Sequence, residues 1–113
     1  MSMDYKLRII SLKCYLPDES DGDEIYLLSK GKKIWPYDKK YMHISSENTP
    51  IELEILIQKG DRIPIELWDH DKLSANDHLG DLTIHADAHG HFVNEFTKKA
   101  DDESKYSLEW EIE

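Results

Sequence analysis

Apolar and polar side chains alternate almost residue by residue through Ile51-Glu52-Leu53-Glu54-Ile55-Leu56-Ile57. An extended chain places residues two apart on one face, so Ile51, Leu53, Ile55 and Ile57 form an apolar row that a helix of period 3.6 would scatter. Lys59-Gly60-Asp61 then turns the chain, and Ile63, Ile65 and Leu67 repeat the row on the way to Trp68. Pro64 inside that run argues for an edge strand or a bulge, because it has no N–H for a ladder.

The same period opens the chain in Tyr5-Lys6-Leu7-Arg8-Ile9 and resumes one residue out of phase in Ile10 to Leu16. A slip of one residue would send every later side chain to the other face, so a β-bulge is predicted near Ile9-Ile10. Ile25 to Ser29 and Lys32 to Trp35 read as a hairpin around Lys30-Gly31. Tyr37 to Ile44, Leu79 to His85 and Tyr106 to Ile112 complete about eight short strands, the pattern of an antiparallel sandwich or barrel. Val93 to Ala100 is the one predicted helical insert.

A chain of 113 residues forms one domain, 1–113, able to bury roughly 65% of its unfolded surface without disulfides. Its formal charge of −10 argues against nucleic acid, where binding rests on Lys and Arg at phosphates. It argues equally against simple attraction to an anionic membrane. The single cysteine, Cys14, forms no intrachain disulfide and reads as a core residue. With no signal-peptide run and no span of about 20 apolar residues, the expected compartment is the cytoplasm. Phosphate loops, Gly-x-Ser-x-Gly and zincin motifs are missing from the sequence, so no enzyme is predicted.

Two acidic segments follow apolar strands. Asp18-Glu19-Ser20-Asp21-Gly22-Asp23-Glu24 reads as a loop after Pro17, and Leu67-Trp68-Asp69-His70-Asp71 leads to Asp77 before Leu79-Gly80. Side chains two apart let Asp69 and Asp71 face one point, and calcium takes 6–8 oxygens, so the two loops together are candidates for one cation site. An EF-hand is excluded by position: counted from Asp69, Leu73 stands at five, Ser74 at six and Gly80 at twelve.

The run Leu67-Trp68-Asp69-His70-Asp71 with Asp77 and Leu79-Gly80 resembles the third loop of C2 domains. Asp18 and Glu24, six apart with Tyr26 following, resemble that family's first loop, where a second aspartate precedes Pro-Tyr. The resemblance spans about Leu7 to Ile84 and implies an all-β, eight-stranded antiparallel C2-like sandwich. It also implies the circularly permuted strand order, in which the last strand takes the place others fill with their first. The implied calcium ligands are Asp18, Glu24, Asp69, Asp71 and Asp77, helped by a carbonyl at Pro17 or His70. Glu24 departs from the pattern, since its extra methylene displaces the carboxylate by about 1.5 Å.

Lys30, Lys32 and Lys33, with Lys39 and Lys40, interleave with Trp35, Tyr37 and Tyr41. They match the family's lysine-rich strand, an anionic-headgroup site, or serve as lysines that discourage strand addition at an edge. Leu73 at the tip of the third loop is the candidate membrane contact, though one leucine supplies only about 2 kcal/mol. His85, His89 and His91 around Asp87 read as surface-loop histidines. The function expected from these features is a non-catalytic, calcium-responsive module that engages a protein partner, or membrane phospholipid once calcium is bound. The alternative is a metal-independent interaction or assembly domain whose acidic loops are simply solvated.

Overall fold

The protein is described by a computed structural model covering residues 4–98 and 104–113. Its strands are β1 (Asp4–Leu16), β2 (Asp23–Ser29), β3 (Lys32–Trp35), β4 (Met42–Ile44), β5 (Asn48–Gln58), β6 (Arg62–Asp69), β7 (Asp77–His85), β8 (Gly90–Glu95), β9 (Thr97–Lys98) and β10 (Lys105–Ile112). Antiparallel pairing gives two sheets, ordered β5-β1-β10-β8 and β3-β2-β6-β7-β9, with β4 also on β2. The sheets pack as a sandwich around Leu7, Ile9, Leu12, Ile25, Leu27, Ile44, Ile65, Leu67, Leu79, Ile84, Tyr106 and Leu108, all under 2% exposed. Cys14 is buried with them.

The phase shift in β1 is absorbed where the alternation predicts. Ile9 pairs with Trp110 and Ser11 with Glu109, which leaves Ile10 without a partner on β10. Across the other edge, Ile9 faces Leu53 and Ser11 faces Pro50, so β5 carries its own extra residue there, with Glu52 at φ 55°. The slip therefore crosses three strands and leaves Leu7, Ile9 and Leu12 all in the core. Lys30 and Gly31, at φ 51° and 79°, supply the two left-handed residues that a tight hairpin needs.

Pro64 is accommodated within an interior strand. β6 lies between β2 and β7, but its pairing with β2 begins only at Glu66, so Pro64 has a neighbour on the β7 side alone. A missing N–H can point to the open side there without breaking a ladder.

Two expectations are corrected. Val93 to Glu95 belongs to β8 and Thr97-Lys98 to β9, so the predicted helix over Val93 to Ala100 does not form in its described part; residues 99 and 100 lie outside the described residues. β8 is an edge strand exposed along its length, so it lacks the one-sided burial that writes alternation into a sequence. The predicted strand over Tyr37 to Ile44 shortens to Met42–Ile44. These changes raise the strand count from about eight to ten among the described residues.

Candidate metal centre

Antiparallel register brings the two acidic segments to one end. β2 pairs with β6 so that Ile25 faces Asp69, which sets the loop before β2 beside the loop after β6. β6 in turn pairs with β7 so that Asp69 faces Asp77 directly. Like charges opposite one another oppose pairing, so this register carries an electrostatic cost unless a cation or proton offsets it. Carboxylate oxygens of Asp18, Asp69 and Asp77 lie within 4.8 Å of one another, and those of Glu19, Asp23 and Asp69 form a second such group. Asp69 belongs to both.

Asp69 is 3% exposed and its Oδ1 accepts the Glu24 N–H at 2.9 Å. Burial pushes its carboxyl up to about 7; the hydrogen bond from Glu24 opposes this, and the negative charges of Asp23, Glu19 and Asp18 add to it. At a site built on Asp69 a proton and a metal ion would compete.

Asp23 plays a different part. It is fully buried, with Oδ2 accepting from Asp18 N–H at 2.8 Å and from the Tyr106 hydroxyl at 2.5 Å, while Oδ1 accepts from Glu19 N–H at 2.9 Å. Burial, then the hydrogen bond to Asp23, holds the Tyr106 phenol far above its ordinary range, so it remains a donor. Asp23 thereby ties the first loop to the core and positions Asp18. The sequence offered a signal for it, since Asp23 shares the inward phase of Ile25 and Leu27.

No protein-family profile and no curated protein matches the sequence. Solved structures do match. The first-lettered C2 domain of a plant extended synaptotagmin 1 superposes with TM-score 0.63 at 14% identity, covering 96% of this chain and 91% of that one. A structure of a C2 domain gives TM-score 0.57 at 16% identity with 97% of each chain covered. A human GIVD cytosolic phospholipase A2 gives TM-score 0.57 at 14% identity, where the match covers 96% of this chain and 16% of the enzyme. The chain has the C2 fold.

Within this C2 fold the five residues singled out from the sequence separate into two sets. Asp18, Asp69 and Asp77 converge; Glu24 and Asp71 join neither group. Asp71 lies beyond the end of β6 rather than in extended register with Asp69. Its Oδ1 accepts from the N–H groups of Leu73 at 2.9 Å and Ser74 at 3.3 Å, and its Oδ2 from the Ser74 hydroxyl at 2.8 Å. These bonds, the Leu73 N–H first and then the Ser74 hydroxyl, hold its carboxyl below the usual range. Asn76 braces the same loop, accepting from Asp71 N–H and donating to the Tyr26 hydroxyl.

Glu24 lies on β2, not in the loop, and its Oε2 is buried without a hydrogen-bond partner among the described residues. It lines a cleft of about 340 Å³ with Glu19, His70, Asp71, Lys72 and Leu73. Three convergent carboxylates, one of them the buried Asp69, fit a cation, because a buried charge is costly unless something positive satisfies it. Oxygen-only donors of this kind suit calcium. Asp18, Asp69 and Asp77 would hold the ion.

The other candidates lie elsewhere. Leu73 is 98% exposed at the tip of the loop between β6 and β7. Lys30 occupies the β2–β3 turn, and Lys32 and Lys33 are exposed on β3, where Lys33 Nζ donates to the Lys39 carbonyl at 2.6 Å. His89 packs its ring on Tyr5 and His91 Nε2 lies 2.6 Å from Glu109 on the neighbouring strand. No described helix is long and apolar enough to cross a membrane.

Proposed function

We propose that this chain is a single, non-catalytic C2-like binding module whose acidic end takes calcium and then engages a partner surface. The observation that supports it is the convergence of Asp18, from the loop before β2, on Asp69 and Asp77, which the β6–β7 register sets directly opposite each other. Calcium removes the repulsion that this register builds in. Two ions would change the formal charge from −10 only to about −6, so no long-range attraction to an anionic bilayer develops. That favours a protein partner, contacted through the loop that carries Leu73. Membrane docking remains local, through bridging ions and Leu73, with Lys30, Lys32 and Lys33 as a separate anionic-headgroup surface.

A metal-independent interaction domain is the second reading. It is favoured by Asp71, which spends both oxygens on its own loop, and by the position of Glu24 on β2. Thermal melting in calcium and in chelator separates the two. A ligand at a hundredfold excess over its Kd adds about 2.7 kcal/mol to stability, so the melting point rises in calcium under the first reading. An unchanged melting point at millimolar calcium leaves the second. Vesicle sedimentation with and without calcium then decides between lipid and protein as the partner class.

A further inference from the structure

On the outer face of β6 and β7, away from the loop aspartates, a second group of ligand atoms converges. His78 Nε2 lies 2.7 Å from Asp81 Oδ1 and 3.8 Å from Glu66 Oε1, and all three residues offer ligand atoms within 4.8 Å of one another. The strands are distorted to make this possible. Residues three apart on a regular strand point to opposite faces. Leu67 pairs with Gly80 while Trp68 pairs with His78, so Leu79 is an extra residue on β7. That bulge puts Leu79 and Gly80 inward, both buried, and leaves His78 and Asp81 on one side opposite Glu66. Bulges of this kind re-aim side chains next to functional sites.

The imidazole is held in place as well as aimed. Its ring stacks on Trp68 with centroids 4.8 Å apart and planes at 16°. Trp68 Nε1–H also donates to Glu66 Oε1 at 3.2 Å, which fixes that carboxylate in the way outer-shell donors orient metal ligands. Ligand atoms around a tetrahedral zinc ion lie about 3.3 Å apart, given bonds of about 2.0–2.1 Å. The observed 2.7 and 3.8 Å bracket that spacing.

We propose that Glu66, His78 and Asp81 form a transition-metal site, for a divalent ion of the zinc class, separate from the loop aspartates. Mixed imidazole and carboxylate donors select zinc, nickel or copper over calcium. β7 would then present Asp77 to the acidic loops and His78 to this site on its opposite face. The site does not depend on the calcium reading.

The test is zinc chloride titrated into the metal-stripped full chain in a non-coordinating buffer, followed by calorimetry and thermal melting. One zinc per chain binds at micromolar concentration, and Asp81→Asn or His78→Gln weakens it 10–100-fold. Asp18→Asn leaves it unchanged. As a second readout, bound nickel quenches emission from Trp68, which stacks on the ligating ring, and the same two substitutions abolish the quenching. Asp81 is an exposed residue, so its variant tests the site even if the His78 variant fails to fold. Three results overturn the proposal: no heat or melting shift at about 100 µM zinc, where a micromolar site is saturated; binding unchanged in Asp81→Asn; or equal weakening by Asp18→Asn, which would place the ion among the loop aspartates.

Discussion

Asp69→Asn should stabilise the calcium-free protein at alkaline pH and leave it nearly unchanged in acid. Asparagine keeps an acceptor for the Glu24 N–H and removes the charge. The folded carboxyl sits at about 7 against an ordinary 3.8, so between those values the folded state holds a proton that the unfolded state has released. Stability therefore falls as pH rises through this window, and the full penalty stands above pH 7. At about 1.4 kcal/mol per tenfold change in proton affinity, the ceiling is about 4 kcal/mol. An effective dielectric above that of a dry interior reduces that to about 2–4 kcal/mol.

At roughly 4 °C per kcal/mol for a chain of this size, the variant should melt about 8–15 °C above the parent at pH 8 in chelator. Near pH 4 the gap should fall below about 1 kcal/mol. Melts followed by circular dichroism, read as the difference between the two proteins at each pH, cancel the other carboxylates. A variant that is less stable at pH 8, or a gap that is the same at both pH values, would show that Asp69 carries no such charge penalty. Calcium should raise the parent toward the variant and do little to the variant itself.

Three further outcomes follow from the same geometry. Tyr106→Phe removes a donor from the buried Asp23 carboxylate and should cost about 1.5–3 kcal/mol in urea unfolding. It should also weaken calcium binding, because Asp23 holds the backbone that positions Asp18. Gly80→Ala would place a methyl 2.7 Å from the Thr97 carbonyl oxygen and 3.1 Å from Phe96 Cβ; a loss of about 1–3 kcal/mol on thermal melting is expected. Leu73→Ser should leave stability within about 0.5 kcal/mol, since the side chain touches almost nothing. If the loop contacts a partner or bilayer, the same change should reduce calcium-dependent binding in a sedimentation assay.

Most of the sandwich was legible because one-sided burial writes itself into the sequence. Leu7, Ile9, Ile25, Leu27, Ile63, Ile65 and Leu67 each keep the inward phase, and the slip at Ile10 announced its own bulge. The described part of Val93 to Ala100 carries no strand signal for the opposite reason: β8 is an edge strand exposed along its length, so Val93 and its neighbours alternate with nothing. The candidate site was legible as two acidic segments and not as a ligand set. Which carboxylates converge depends on register, and register opposed Asp69 to Asp77 while the turn after β6 diverted Asp71 into its own loop. Carrying the inward phase of Ile25 back two residues would have found Asp23.

Calcium titration by calorimetry, on the parent and on Asp77→Asn at pH 7.5, decides whether the acidic end of the sandwich holds an ion. Asp77 is an exposed residue, so its substitution removes a proposed ligand without disturbing the core. Saturable calcium binding is expected in the parent with Kd at or below the millimolar range, weakened at least about tenfold in the variant. No binding at millimolar calcium, or the same isotherm in both proteins, would contradict it.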